Sequence, residues 1–244
     1  MPKFFIEKNQ VNDEYVNIIG EDFLHMTKSL RIKANEKIVA CDGVLDYNCI
    51  VEIITSDAVI CKIMEKISAI GEPSVKVYVY ISVTKSDKLE LVTQKVTELG
   101  AFKIIPFISA RCVSKPDQKS ANKKRERLQK IAIEASKQCG RSIIPEVLEF
   151  LTLKQVIENC KENDINLVLY ENEKDLSIKN AIENKDFTTI SIVVGPEGGF
   201  EQSEIESFIN SNFEIVSLGK RILRAETAPI AAISAIMYQT DNFS

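Results

Sequence analysis

Two short segments of the chain combine glycines with charged side chains at positions suited to ligand binding. The first, 195–200, reads Gly-Pro-Glu-Gly-Gly-Phe and follows an apolar run that predicts a strand. Ligands of parallel sheets bind beyond the carboxyl ends of strands, where glycines let them approach the backbone. The segment is neither a dinucleotide fingerprint nor a P-loop. Because the carboxylate of Glu197 would repel a pyrophosphate, the pattern favours a partly cationic ligand such as a sulfonium, with a structural turn as the alternative.

The second segment, 218–229, reads Leu-Gly-Lys-Arg-Ile-Leu-Arg-Ala-Glu-Thr-Ala-Pro. It lies between a predicted strand and a predicted helix, with Thr227 as the expected N-cap and Pro229 in the first turn. Three basic side chains and a glutamate are crowded into this connection. Such crowding costs stability unless a ligand or partner uses the charges, so the segment favours a functional site over a structural network.

The net charge of −4 conceals a segregation of charge along the chain. Residues 1–70 carry a balance of −3, residues 71–142 one of +8 and residues 143–244 one of −9. A basic third in an acidic protein indicates a local field directed at a polyanion. The alternative is a solvated helix face. The basic residues are densest at Lys115, Lys119, Lys123, Lys124, Arg125, Arg127 and Lys130.

Several classes of site and location are disfavoured by the residues present. The six cysteines form no C-x-x-C pair and His25 is the only histidine, so we expect no zinc site and no serine or cysteine triad. Cysteines in apolar runs are expected to be buried, reduced thiols. No run approaches the roughly 18 apolar residues that span a bilayer, and the N-terminus lacks a signal-peptide core. We therefore expect a soluble cytoplasmic protein with neither metal nor membrane association.

The elements that would position these segments fall into two regions. Up to about residue 70, five short β-rich runs and one helix, about Asp22 to Arg31, predict a small β-barrel. A linker is expected at 68–73. From Val75 onward, strands alternate with helices, which predicts a parallel sheet covered on both faces. The predicted helices cover about 87–99, 118–138, 176–183, 201–209 and 227–238. We place the domains at 1–70 and 74–244.

The two segments together resemble the signature of the RsmE family of SPOUT-class methyltransferases. Three upstream segments extend the resemblance over nearly the whole chain, in order: Gln94 to Gly100, Glu134 to Arg141 followed by Pro145, and His25 to Arg31. The departures are Lys137, Ser29 and Ala225, where the family usually has an acidic residue, valine and threonine. None of them removes a charged or glycine position.

The resemblance implies an α/β fold class: a SPOUT α/β-knot, with a parallel sheet and helices on both faces, preceded by a small PUA-like β-barrel that binds RNA. Its C-terminal segment would thread a deep trefoil knot, whereas the elements alone predict an unknotted sheet, because knots are nearly absent from proteins. The implied activity is S-adenosylmethionine-dependent methylation of N3 of a uridine in 16S rRNA of the small ribosomal subunit, by a homodimer. The alternatives are another SPOUT RNA methyltransferase with a different target and a non-catalytic ribosome-assembly factor.

The resemblance also assigns residues to roles. Arg224 is expected to stabilise the developing imidate oxygens, while Glu226 orients it, takes the N3 proton or serves only as a salt-bridge partner. The expected cofactor residues are Leu169, Tyr170, Glu171, Gly195, Pro196, Glu197, Gly198, Gly199, Leu218, Gly219, Ile222, Leu223, Thr227 and Ala228. The expected RNA-binding residues are Arg31, Lys95, Arg111, Lys115, Lys123, Lys124, Arg125, Arg141 and Arg221. For Lys95, Glu98, Glu134, Gln138 and Arg141, a buried structural network is the alternative.

Overall fold

A computed structural model describes residues 1–68, 71–84 and 86–243 of the chain. Ala69 and Ile70 of the predicted linker lie outside the described residues. The chain divides into two compact units, one of Met1–Glu72 with Ser136–Ile143 and one of Pro73–Ala135 with Ile144–Ser244. The sequence did not indicate that a segment from the end of the long polar helix belongs to the N-terminal unit.

The N-terminal unit is built on a five-stranded sheet. Its strands are β1 (Lys3–Phe5), β2 (Tyr15–Ile19), β3 (Lys37–Cys41), β4 (Leu45–Ile54) and β5 (Ala58–Ser68), in the order β1-β3-β4-β5-β2. All pairs are antiparallel except β1–β3. Two register shifts between β4 and β5 bend these long strands. The predicted PUA-like domain is confirmed as a curled half-barrel with β1 and β2 at its edges.

Apolar residues of this sheet alternate with polar ones and form a separate core around Phe4, Ile18 and Ile38. Two cysteines belong to that core, and burial raises the pKa of the Cys49 and Cys61 thiols to about 12. Five of the six cysteines are buried, as expected of reduced structural thiols. The predicted helix of this region is split into α1 (Gly20–Leu24) and a π-helical turn, His25–Ser29.

The C-terminal unit contains a seven-stranded, fully parallel sheet. Its strands are β6 (Lys76–Ser82), β7 (Ala101–Ile108), β8 (Glu146–Val147), β9 (Leu151–Thr152), β10 (Ile165–Leu169), β11 (Thr189–Val194) and β12 (Glu214–Val216). The order is β12-β10-β11-β6-β7-β8, with β9 beside β7. The helices are α2 (Ser86–Glu98), α3 (Gln118–Cys139), α4 (Leu153–Cys160), α5 (Ile178–Ile182), α6 (Gln202–Ile209) and α7 (Thr227–Gln239).

Both faces of the sheet are buried, because successive side chains of its strands enter different cores. In β6, Val77 and Val79 pack in the core that includes α7, whereas Tyr80 packs with Phe208 of α6 on the other face. The predicted two-sided parallel sheet is confirmed. None of the described helices is long and apolar enough to cross a membrane.

The largest departures from the sequence prediction are short elements. The two-residue strands β8 and β9 carry no periodic signal, and α4 was missed although Thr152 and Gln155 form a capping box at its start. Pro106 lies between the residues of β7 that pair with β8 and those that pair with β9, so the pairing on this side of β7 is interrupted at the proline. Helix α7 begins at Thr227 with Glu226 in the N-cap position, which corrects the predicted cap.

Candidate functional site

A cleft of about 510 Å³ opens at the carboxyl ends of β10, β11 and β12. These strands are neighbours and parallel, so the connections that follow them meet at one edge of the sheet. The volume is typical of a small-molecule site. Twelve expected cofactor residues line it: Leu169, Tyr170, Glu171, Gly195, Pro196, Glu197, Gly199, Leu218, Gly219, Ile222, Leu223 and Ala228. The other two expected cofactor residues, Gly198 and Thr227, are sequence neighbours of lining residues but do not themselves line the cleft.

The turn 195–200 requires glycine for backbone and steric reasons. Gly199 has a φ of +68°, and its N–H donates a 2.9 Å hydrogen bond to the carbonyl oxygen of Pro196. A Cβ at Gly199 would lie 2.5 Å from Oε1 of Glu171. The carboxylate of Glu171 therefore rests directly against the turn, and both border the cleft.

The segment 218–229 presents its cations to the cleft. Lys220, Arg221 and Arg224 line the cleft and are exposed, and none of their side chains has a hydrogen bond or ion pair to another described residue. Ile222 is 82% exposed at the same place. The three cations of this segment are thus not neutralised by salt bridges within the described part of the chain, which leaves them available to a ligand.

Lys88 is the principal site residue that the sequence analysis missed. Its Nζ lies 3.1 Å from Oε1 of Glu197 and 3.2 Å from Oε2 of Glu226. Hydrogen bonds to these carboxylates raise the pKa of Lys88. The pKa of Glu226 is lowered, first by a hydrogen bond from its own backbone N–H and then by the Lys88 ammonium. These two effects outweigh desolvation, which acts to raise the pKa. The ammonium thus connects the two motif segments, and Glu226 is ionised at neutral pH.

Arg111 is held at the other side of the glycine turn. Its Nη1 donates a 2.9 Å hydrogen bond to the carbonyl oxygen of Gly198, and a Cβ at Gly198 would lie 3.3 Å from the Cβ of Arg111. The neighbouring N–H of Ala110 donates to Oε1 of Glu204 over 2.9 Å. This expected RNA-binding residue is exposed, yet it also fixes the turn that borders the cleft.

The other expected RNA-binding residues occupy several environments. Arg31 is exposed in the N-terminal unit with a φ of +52°, a left-handed conformation that is strained for arginine. Lys115 is exposed in the connection before α3. On α3, Lys123 is exposed, whereas Lys124 and Arg125 are half-buried. Lys95 of α2 forms an ion pair of 2.9 Å with Glu98, one turn away. Arg221 lies in the cleft.

Arg141 differs from these surface residues because only 5% of its side chain is exposed. Its Nη2 lies 2.6 Å from Oε2 of Glu72, and Oε1 of Glu72 accepts 2.9 Å hydrogen bonds from the N–H groups of Ser142 and Ile143. A guanidinium in this position cannot contact an RNA backbone without breaking the pair. The geometry therefore favours the structural alternative for Arg141, within the N-terminal unit.

Comparisons with known proteins agree with this architecture. Residues 71–237 match the family model described as an RNA methyltransferase domain, and residues 18–64 match an RNA methyltransferase PUA domain. The fold and the cleft thus define the chain as an RNA methyltransferase of the PUA-containing class.

Two full-length relatives identify the family more closely. Ribosomal RNA small subunit methyltransferase E of Bacillus subtilis (strain 168) is 38% identical over 251 residues, covering 99% of this chain and 98% of that protein. The protein of the same name from Mesomycoplasma hyopneumoniae (strain 232) is 32% identical, covering 94% and 96%. This chain belongs to the ribosomal RNA small subunit methyltransferase E family, which confirms the resemblance drawn from the motifs.

A solved structure of the same family supports the fold. The Neisseria gonorrhoeae ribosomal RNA small subunit methyltransferase E, bound to S-adenosyl methionine, superposes with a TM-score of 0.86 at 28% identity, covering 98% of this chain and 97% of that chain. The expected combination of a parallel α/β methyltransferase unit with a PUA-like unit is confirmed by this likeness.

Proposed function

We propose that the protein transfers a methyl group from S-adenosylmethionine to N3 of a uridine in 16S rRNA of the small ribosomal subunit. The observation that carries the proposal is one cleft bordered by both glycine-bearing segments and lined by the unpaired side chain of Arg224. The names of the relatives support a small-subunit rRNA substrate. The choice of uridine N3 rests on the motif resemblance.

The residues of the cleft fit S-adenosylmethionine. Its sulfonium is cationic, and the carboxylates of Glu171 and Glu197 line the cleft. Leu218 and Leu223 offer apolar walls, and the close approach of Glu171 to Gly199 leaves no room for a side chain on the turn. We therefore infer that the turn 195–199, the end of β10 and the segment 218–228 hold the cofactor.

Arg224 and Glu226 supply the chemistry that this chain contributes. When bound, S-adenosylmethionine provides a methyl carbon whose bond to sulfur breaks, with the electron pair remaining on sulfur, as a bond to N3 forms. The N3 proton must also leave, so the base must be unpaired or extruded from its helix. Arg224 is suited to stabilising negative charge on the uracil oxygens as that proton departs.

Glu226 is better suited to orientation than to proton removal. Its lowered pKa makes it a weak base, and its carboxylate is held by Lys88. The field of Arg224 also favours its charged form. We infer that Glu226 keeps Arg224 in place electrostatically, and that the proton is taken by another acceptor.

RNA binding is proposed for the exposed basic residues. Arg31, Lys115 and Lys123 are exposed, as are Arg111 and Arg221, and such side chains can neutralise phosphates. Lys95, Lys124 and Arg125 are secondary candidates because of their pairing or partial burial. Arg141 keeps only a structural role in this proposal.

We propose four further features. Domains at 1–70 and 74–244 and a cytoplasmic location are proposed from the residue pattern. A deep trefoil knot formed by the C-terminal segment and a homodimeric assembly are proposed from the family resemblance.

Nucleoside mass spectrometry on small-subunit RNA treated with the protein and S-adenosylmethionine tests the proposal. We expect new 3-methyluridine with the wild-type protein and at least about a hundredfold less with Arg224→Ala, the usual scale for a lost oxyanion donor. Arg224→Lys is the matched variant: it retains the charge but not the planar fork, and should recover only part of the activity.

The other outcomes discriminate between the alternatives. A different methylated nucleoside would overturn the assignment of uridine N3 while retaining the methyltransferase. Absence of product on both assembled subunits and free RNA, together with failure to bind S-adenosylmethionine, would favour a non-catalytic assembly factor. Equal product from wild type and Arg224→Ala would remove Arg224 from the mechanism.

A further inference from the structure

We propose that Lys88 is a positioning residue for methyl transfer: its ammonium bridges the carboxylates of Glu197 and Glu226, and thereby fixes the two motif segments relative to each other and sets the charge that the sulfonium meets. This inference rests on the proposed function. It assigns a role to a residue outside both motif segments.

The topology explains how Lys88 reaches the cleft. Strand β6 lies beside β11 and runs parallel to it, so α2, which follows β6, begins at the same edge of the sheet. Lys88 lies in the first turn of α2 and lines the cleft. Helix α2 packs against α7, which begins directly after Glu226. The bridge therefore joins three segments that are separate along the chain but belong to the same compact unit.

The position of Lys88 is not explained by the needs of its own helix. The N-terminal turn of a helix carries partial positive charge, so a lysine there is mildly unfavourable. Its side chain is only 26% exposed, and its ammonium is directed at two carboxylates from distant segments of the chain. The Glu226 side chain, at 15% exposed, is the more enclosed of the two partners. Without a cation between them, the carboxylates of Glu197 and Glu226 would repel each other. The Lys88 ammonium relieves that repulsion because it lies within about 3.2 Å of both.

The charge of the bridge has a consequence for cofactor preference. Within the bridge itself, two carboxylates and one ammonium carry one net negative charge, and loss of the ammonium leaves two, so the field at the cleft becomes one unit more negative. S-adenosylmethionine carries a positive sulfonium, whereas the product S-adenosylhomocysteine is a neutral thioether at that atom. Removing one unit charge from a solvated cleft corresponds to about a threefold change in cation affinity. Loss of Lys88 should therefore raise the preference for S-adenosylmethionine over S-adenosylhomocysteine.

The same loss should slow the reaction. Without the bridge, Glu226 can swing away from Arg224, and a displacement of about 1 Å costs up to a hundredfold in rate. We expect Lys88→Met to lower kcat by about tenfold or more. The affinity ratio is the affinity for S-adenosylmethionine divided by that for S-adenosylhomocysteine. A lower kcat together with a higher affinity ratio distinguishes a positioning role from general loosening of the cleft, because loosening would weaken the binding of both ligands equally.

The experiment compares the wild-type protein with Lys88→Met and Lys88→Arg. Titration calorimetry gives the affinities for S-adenosylmethionine and S-adenosylhomocysteine, and methylation of small ribosomal subunits gives kcat and KM. We expect an affinity ratio raised about threefold in Lys88→Met and close to wild type in Lys88→Arg, because arginine retains the charge. The matched control is Lys103→Met: Lys103 is 31% exposed and forms one ion pair, 2.8 Å from Glu146. Lys103→Met should leave both the affinity ratio and kcat unchanged.

An unchanged affinity ratio in folded Lys88→Met, or a wild-type kcat, would overturn the proposal. If that variant does not fold, the same comparison is made with Lys88→Gln, which is also uncharged. Failure of the proposed function is recognised separately, because the wild-type protein itself would then form no methylated nucleoside. The affinity ratio can still be measured in that case, and it tests the bridge independently of turnover.

Discussion

Replacing Gly199 with alanine should weaken cofactor binding by displacing a neighbouring carboxylate. The new Cβ would lie 2.5 Å from Oε1 of Glu171, closer than any real contact, so Glu171 must rotate away. Glu171 is exposed and flexible, so the rotation itself costs little stability. It does, however, remove the carboxylate from the position where it borders the cleft.

Gly199→Ala should affect two free energies: that of folding, through the backbone conformation at residue 199, and that of cofactor binding, through Glu171. A non-glycine residue at a φ of +68° costs about 1–2 kcal/mol of folding stability, partly offset by the lower entropy of the unfolded chain. We expect the Glu171 carboxylate to accept a hydrogen bond from the bound cofactor, and loss of a hydrogen bond to a charged group costs roughly 1.5–3 kcal/mol. We therefore expect the affinity for S-adenosylmethionine to fall by about tenfold or more.

Gly20→Ala provides the matched control. Gly20 has a φ of +65° in the N-terminal unit, and a Cβ there would have no atom within 4 Å. Both variants should lose a similar amount of stability in urea unfolding, while calorimetry should detect weaker cofactor binding only for Gly199→Ala. Equal cofactor affinity in the two variants would refute the role of Glu171 and the steric argument on which it rests.

Three further predictions concern residues outside the cleft. Arg141→Ala should lower the free energy of unfolding by roughly 1.5–3 kcal/mol, because the half-buried Glu72 carboxylate loses its charged partner and keeps the hydrogen bonds from the N–H groups of Ser142 and Ile143, and it should leave the salt dependence of RNA affinity unchanged. Lys123→Ala should do the opposite, reducing the slope of log affinity against log salt by about one phosphate contact. In alkylation at pH 8, exposed Cys139 should react first and Cys49 should be protected, because burial and a pKa of about 12 keep its thiol protonated. Rapid labelling of Cys49 in the native protein, or a reduced slope of log affinity against log salt for Arg141→Ala, would contradict these assignments.

The sequence by itself determined the features that depend on local pattern. The apolar run at β11 and the turn 195–200 identify both a buried strand and its ligand-facing end, because a strand buried on both faces is continuous in hydrophobicity and the following glycines interrupt it. The segment 218–229 was recognised in the same way from its charges. The burial of Cys41, Cys49 and Cys61 likewise follows from the apolar runs that contain them, whereas Cys112 and Cys160 lie in polar segments and are buried by tertiary packing.

Only the tertiary structure decided how distant charges are paired. Nothing in the local pattern of α2 directs Lys88 to Glu197 and Glu226, because that contact depends on β6 lying beside β11. Arg141 carries the same charge as the surface cations, yet its burial against Glu72 makes it structural. Charged side chains have no periodic signal of their own, so the partner that neutralises each one is fixed by the packing of the elements that carry them.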